Sequence, residues 1–251
     1  MIYFVGAGAG APDLITVRGA KLLGQADVIV YAGSLVNPAL LDYKKDGCAV
    51  YNSAQMTLEQ VLDVMVPAAR EGKTVVRLHT GDPCVYGAHR EQMDALDKEG
   101  LAYEVVPGVS SFCGAAAALK AEYTLPDVSQ TVILTRMEGR TPVPPKEKIE
   151  LLAAHGASMV IFLSAGQTQK LQEKLLEGGY APDTPAAIVY KATWPDEQVV
   201  RTTVGGLAEA ARQAGITKTA LITVGGFLGD TYERSKLYDP SFSTEFREAS
   251  R

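Results

Sequence analysis

Five short apolar runs punctuate the first 106 residues, at 2–5, 28–31, 48–51, 74–78 and 103–106, and the stretches between most of them carry apolar residues at helical spacing. This alternation constrains the fold more than any other feature of the chain. A strand that leads into a helix must cross over to a parallel neighbour, whereas an antiparallel partner needs only a tight turn. The first half is therefore expected to build a mainly parallel, doubly wound sheet. In such sheets ligands bind outside the carboxyl ends of the strands. The chemistry of this chain is accordingly sought in the residues that follow each run.

Three of those stretches are rich in glycine, proline or small polar residues. GAGAGAPDL (6–14) follows the first run, LHTGDPCVYG (78–87) closes the fourth, and PGVSS (107–111) follows the fifth. Gly81, Asp82, Pro83 and Gly87 make a stiff turn with one carboxylate, since glycine admits close backbone approach and proline fixes the turn. The serines of PGVSS stand before an alanine-rich helix at 112–119, where free amides and hydroxyls can hold oxygen atoms of a ligand or simply cap the helix. Gly6, Gly8 and Ala11 satisfy G-x-G-x-x-G/A, which raises a dinucleotide-binding reading. That reading requires an acid at the end of the second strand to hold a ribose. The second run ends Tyr31-Ala32-Gly33, and Asp27 stands before it, at the wrong end.

Helix boundaries follow from capping chemistry. Asp13 is the expected N-cap of a helix reaching about Gln25, a short helix is expected over 39–43, and Thr57 with Gln60 has the form of a capping box opening a helix to Glu71. Pro67 is expected to kink or end that helix. A further helix is expected over 89–98. The pattern changes near 114–128, dividing the chain into an N-terminal domain, 1–115, and a C-terminal one, 116–251. Strands at 131–135, 159–163, 186–190, 199–203 and 220–224 and helices at 146–154, 167–177 and 207–213 are expected in the second half. Residues 186–190 and 199–203 read as a hairpin, which makes the second sheet mixed. The tail after Gly229 is polar and weakly periodic.

The chain of 251 residues carries 24 lysines and arginines against 29 aspartates and glutamates, a formal charge of -5. That balance gives no support for non-specific nucleic-acid binding. Three widely spaced cysteines and three histidines present neither a disulfide framework nor metal-ligand spacing, so no metal is expected. With no basic leader and no long apolar segment, the reading is a cytoplasmic protein with no membrane partner.

The GxGxGxPDL loop, GDPxxxG, PGxSS and a second α/β half, in that order, resemble the S-adenosylmethionine-dependent tetrapyrrole methylases of cobalamin and sirohaem synthesis. Three further stretches, VYAGSLV (30–36), TLPDVSQTVILTRMEGRTPVP (124–144) and YKATWPDE (190–197), are similar to those of the precorrin-4 C-11 methyltransferases. The resemblance implies two α/β domains, S-adenosylmethionine as cofactor held between them, a precorrin substrate and a homodimer. It places cofactor contacts on Gly81, Asp82, Val85, Ser110 and Ser111, and, in the second half, on Leu163, Ala192 and Ala220. The first glycine loop, with Gly8, Gly10 and Asp13, is implied to face the tetrapyrrole. Ala9 departs from the proline common in the family, and Ala32 replaces an aspartate that uroporphyrinogen methylases carry after the tyrosine ending strand two.

Methyl transfer from a sulfonium rests on alignment and exclusion of water, which in ideal cases supply roughly 7 to 11 kcal/mol. Asp82 is a candidate for the methionine or ribose part of the cofactor, directly or through the turn it fixes. A precorrin bears many carboxylates, so Arg136 and Lys191, with Arg140 behind them, are candidate substrate cations. Tyr31 and Arg136 are the candidates for a catalytic role. Other readings stay open at this point: another methylase of the family acting at a different ring carbon, diphthine synthase, a ribosomal-RNA methylase, a non-catalytic binding protein, or a dinucleotide-dependent oxidoreductase.

Overall fold

The computed structural model describes residues 1–250. The chain divides into two compact units, one formed by Met1–Gly114 with Ala192–Asp196, the other by Ala115–Lys191 with Glu197–Arg251.

In the first unit β1 (Ile2–Gly6), β2 (Val28–Tyr31), β3 (Ala49–Asn52), β4 (Val75–His79) and β5 (Tyr103–Val106) form one sheet in the order β3-β2-β4-β1-β5. Every pairing is parallel. Side chains alternate across it. Val5, Ile29, Val76 and Leu78 pack with Leu22 and Leu23 of α1 (Val17–Gln25) and with Leu40. Ile2, Phe4, Val30 and Val75 pack with Val61 and Met65 of α2 (Leu58–Arg70) and with Leu96 of α3 (Arg90–Lys98). Burial on both faces is why β1, β2 and β4 read as largely apolar runs. The strand order also sets the ligand edge. The chain leaves β1 toward β2 on one side and leaves β4 toward β5 on the other, so the carboxyl ends of the neighbouring strands β1 and β4 are the topological switch point.

Several helix starts differ from the sequence expectation. Asp13 does not cap α1; Pro12–Leu14 is a turn of 3-10 helix, Ile15 and Thr16 are extended, and the Thr16 hydroxyl accepts from Gly19 N. Proline at 12 holds a tight turn that the longer helix would have had to unwind. Residues 38–43 form 3-10 rather than α-helix, and α3 begins after His89. Thr57 and Gln60 make the full capping box, while α2 runs past Pro67 to Arg70. A single proline removes one donor, and the buried Val61, Met65 and Ala68 face holds the last turn in place.

The boundary between the units falls inside α4 (Ser111–Leu119). In the second unit β6 (Val132–Arg136), β7 (Ser158–Phe162), β8 (Pro185–Tyr190), β9 (Gln198–Thr203) and β10 (Ala220–Val224) order as β6-β7-β10-β8-β9. β6 runs parallel to β7, and the remaining pairings are antiparallel. Met159, Ile161, Ile188 and Ile222 form its core with Leu171 and Leu175 of α6 (Thr168–Glu177) and Leu207 of α7 (Leu207–Gln213). The helix expected at 146–154 is broken: Pro145–Glu147 is 3-10, Lys148 is extended, and only Ile149–Ala153 is α-helix, α5. Beyond Gly229, among the described residues, a 3-10 turn at Lys236–Tyr238 is the one helical element, and most of the side chains are exposed.

Candidate functional site

At the switch point three loops lock together through backbone atoms. Gly8 N donates to Gly81 O at 3.2 Å, Gly81 N donates to Gly8 O at 2.9 Å, and Ala7 N donates to His79 O at 2.7 Å. The first glycine loop and the GDP loop are thus paired as an extra rung beyond β1 and β4. The third loop joins through Asp82, whose Oδ1 accepts from Cys84 N and whose Oδ2 accepts from Gly108 N, each at 2.8 Å. One carboxylate both closes its own turn and ties it to PGVSS. Partial burial, the largest single influence, pushes the Asp82 carboxyl up, but the hydrogen bonds from Cys84 and Gly108 together outweigh it and hold the group below the usual carboxylate range. The geometry therefore favours action through the turn over direct contact.

The loops approach so closely that side chains are excluded. A methyl built on Gly108 would stand 2.2 Å from Gly81 O and 2.7 Å from Gly6 Cα, and one on Gly6 would stand 2.6 Å from Gly108 Cα. In the sequence Gly6 stood out only through the G-x-G-x-x-G/A pattern, and Gly108 only as part of PGVSS. Their signal is positional, since each directly ends a strand or follows one by a single proline.

Beneath the GDP loop β4 contributes two buried polar side chains. Arg77, 6% exposed, donates through Nε to Gln92 Oε1 at 3.1 Å and through Nη1 to Val30 O at 3.2 Å, and burial lowers it to about 10. Gln92 Nε2 donates in turn to Ala88 O at 3.0 Å, holding the far end of the loop. His79, 3% exposed, is lowered to about 3 by burial first and by the neighbouring Arg77 and His89 next, and its ring bonds to the Gly87 backbone. It is a neutral structural group. His79 Nε2 and Thr80 Oγ1 are buried and have no hydrogen-bond partner in the protein. Thr80 immediately precedes Gly81, so its hydroxyl is a polar group available to a ligand at this edge.

Of the remaining expected residues in this unit, Ser110 stands at the N-cap of α4, its carbonyl accepting from Cys113 N and Gly114 N, and Ser111 opens the helix. Tyr31 ends β2 half-buried against the α1-side core. Ala192, expected with the second half, groups with the first unit. Asp27 accepts from Thr74 N at 2.8 Å and pairs with Lys45 at 2.6 Å, at the amino end of β2. It cannot serve as the ribose acid at the other end.

In the second unit strand directions gather the expected residues. β6, β7 and β8 run the same way and β10 runs against them. Arg136, Leu163, Lys191 and Ala220 therefore all lie at one edge of that sheet. Backbone strain marks the same edge: Leu163, Lys191 and Thr219 have φ of 53°, 45° and 55°. Leu163 is apolar, 66% exposed and left-handed, a combination that costs of order 1–3 kcal/mol and clusters at ligand sites. Lys191 N donates to Thr219 O at 2.9 Å, and its Nζ lies 5.4 Å from the Tyr190 ring centre. Arg136 is committed to its own loop, donating to Met137 O at 3.1 Å, Thr141 O at 3.3 Å and Pro142 O at 2.8 Å. Among the described residues no group of three His, Cys, Asp or Glu is placed to hold a metal ion, and no helix is long and apolar enough to cross a membrane.

The switch-point loops of this parallel sheet present glycine backbone, a helix start and one hydroxyl without a protein partner, the surroundings in which α/β proteins take up small ligands. The comparisons with known proteins give the family. The model of the tetrapyrrole (corrin/porphyrin) methylases matches residues 1–208, and the chain belongs to that family of methyltransferases. It is 54% identical over 249 residues to a cobalt-precorrin-4 C(11)-methyltransferase of Methanocaldococcus jannaschii, covering 99% of this chain and 96% of that one. A protein of the same description from Priestia megaterium is 53% identical, with 98% and 97% covered. The solved X-ray structure of a cobalt precorrin-4 methyltransferase superimposes with a TM-score of 0.89 at 53% identity, covering 91% of this chain and 96% of that one. Uroporphyrin-III C-methyl transferase from Thermus thermophilus, complexed with S-adenyl homocysteine, gives 0.75 at 27% identity, with 90% and 98% covered.

Proposed function

We propose that this chain transfers a methyl group from S-adenosylmethionine to C-11 of cobalt-precorrin-4, or of precorrin-4, in cobalamin biosynthesis. The observation that carries this reading is identity of 54% and 53%, along nearly the whole chain, with two cobalt-precorrin-4 C(11)-methyltransferases. Identity to a precorrin-4 C(11)-methyltransferase of Sinorhizobium is lower, at 44%, which favours the cobalt-bearing substrate.

The residues at the switch point suit the cofactor. Gly81, Asp82 and Val85 would hold it by backbone groups, with Ser110 and Ser111 at the helix start, and Thr80 adds a hydroxyl without a protein partner. Leu163, Ala192 and Ala220 are the further contacts. When bound, S-adenosylmethionine supplies a methyl group already activated by a positive sulfur. The chain need only hold and align the reacting carbon and keep water away. Gly8, Gly10 and Asp13 face the tetrapyrrole in this reading, with Lys191 supplying charge toward its carboxylates and Arg136 shaping the loop at 137–142. Tyr31 is the candidate catalytic side chain at the end of β2. The protein is proposed to act as a cytoplasmic homodimer.

The test is to incubate the purified chain with cobalt-precorrin-4 and methyl-labelled S-adenosylmethionine and to locate the label by NMR. A label at C-11 supports the assignment. A label at another carbon moves the enzyme elsewhere in the family, and no transfer to either precorrin form removes the assignment.

A further inference from the structure

The first glycine loop is gripped from two sides at a single peptide. On one side Asn37 donates from Nδ2 to Gly10 O at 2.9 Å, while its Oδ1 accepts from Ala39 N at 3.1 Å. The second bond fixes which way the amide faces, so the donor is aimed at the loop. On the other side Thr193 Oγ1 accepts from Ala11 N at 2.9 Å. Gly10 has φ 154°, and a methyl built on it would stand 2.2 Å from Trp194 Cδ1 and 2.8 Å from Ala192 O. The indole thus lies flush on the loop backbone where no side chain fits.

This grip is held under strain. Thr193 has φ 68°, a conformation a β-branched residue adopts only when its surroundings impose it. Its hydroxyl bond to Ala11 N supplies part of that restraint. The two arms also come from parts of the chain with no structural need to meet: Asn37 follows β2, and Thr193 and Trp194 belong to the connection between β8 and β9. Both arms lie in or beside the stretches 30–36 and 190–197, which resemble those of the precorrin-4 C-11 methyltransferases.

We infer that Asn37, Thr193 and Trp194 form a clamp that sets the shape of the Gly10–Ala11 peptide, and that this clamp determines specificity for the tetrapyrrole without contributing to cofactor affinity. The inference rests on the proposed reading that the first glycine loop faces the substrate. All three are positioning residues that act through the loop.

Two variants separate the clamp from simple stability. Asn37→Asp keeps the oxygen that accepts from Ala39 N and removes the donor to Gly10 O. Thr193→Val keeps the shape and removes the acceptor for Ala11 N. Trp194 is the sole tryptophan of the chain, so quenching of its emission reports cobalt-precorrin-4 binding directly. Each variant should weaken cobalt-precorrin-4 binding about tenfold, the scale of one lost hydrogen bond, and raise its KM in parallel with kcat changed less than threefold. Affinity for S-adenosylhomocysteine by calorimetry should stay near that of the unaltered chain, and the melting temperature should fall by no more than a few degrees. Unchanged tetrapyrrole affinity in both variants overturns the clamp, as does equal weakening for both ligands. An unaltered chain that binds neither ligand overturns the functional reading and the clamp together, an outcome distinct from variants that merely match a working parent.

Discussion

Replacing Asp82 by asparagine tests how far one carboxylate organises the ligand edge. The side chain keeps its shape, but asparagine offers one acceptor where aspartate offers two. Cys84 N and Gly108 N, both 2.8 Å from separate carboxylate oxygens, can no longer both be satisfied, and one of them meets an N–H donor instead. A hydrogen bond to a charged group contributes about 1.5–3 kcal/mol. Asp82 is only half-buried, so the lower part of that range, about 1.5–2 kcal/mol, is the appropriate figure. At 1.36 kcal/mol per decade this is about a 10- to 30-fold loss. The loss falls on the fraction of molecules whose GDP and PGVSS loops are docked, and hence on apparent cofactor affinity. Calorimetry with S-adenosylhomocysteine should show that weakening, with the same heat per site once saturated. The folded-state carboxyl is held low, so its contribution is present above about pH 4 and is lost only as pH falls below that value. The wild-type advantage should therefore be flat from pH 5 to 9. Wild-type affinity in Asp82→Asn would refute the view that this carboxylate staples the two loops.

Other outcomes follow from the same geometry. His79 is neutral in the fold with a value of about 3, below its ordinary 6.5, so the unfolded chain binds the extra proton; stability should be complete above pH 6.5 and erode on acidification, by about 2 kcal/mol at pH 5, a limb that His79→Leu should lose in denaturant melts. Gly108→Ala places a methyl 2.2 Å from Gly81 O, and since backbone must move, a cost of about 1–3 kcal/mol and loss of measurable S-adenosylhomocysteine binding are expected. Thr57→Ala breaks the capping box far from the ligand edge and should cost about 1 kcal/mol in chemical denaturation while leaving cofactor affinity unchanged.

The parallel sheet was legible because its central strands, β1, β2 and β4, are buried on both faces and so appear as largely apolar runs. The mixed second sheet was legible from its hairpin. Local starts were harder. Asp13 looked like a cap, yet proline at 12 tightened the chain into a 3-10 turn and passed the cap to Thr16, three residues on. Pro67 was expected to kink or end its helix, yet the buried face of α2 carried the helix beyond it to Arg70. At the ligand edge, residue types pointed to the GDP and PGVSS loops, but their union through Asp82 and Gly108 is a contact between residues 26 apart in sequence, and no local pattern encodes it. The same holds for Asn37 and Thr193 meeting on one peptide. Arg136 shows the converse: a cation in a distinctive stretch suggested a substrate contact, whereas its Nη1 and Nη2 donate to three carbonyls of its own loop.

In the proposed reading two loops exchange roles: GAGAGAP, the loop that looks like a nucleotide site, would serve the substrate, and GDPCVYG the cofactor. A crystal structure of the chain with S-adenosylhomocysteine tests it most directly. The ligand is expected against Gly81, Asp82 and Val85, with Ser110 and Ser111 beside it and the Thr80 hydroxyl within hydrogen-bond reach. S-adenosylhomocysteine seated instead on Gly8 to Ala11, clear of Gly81 to Val85, would contradict it.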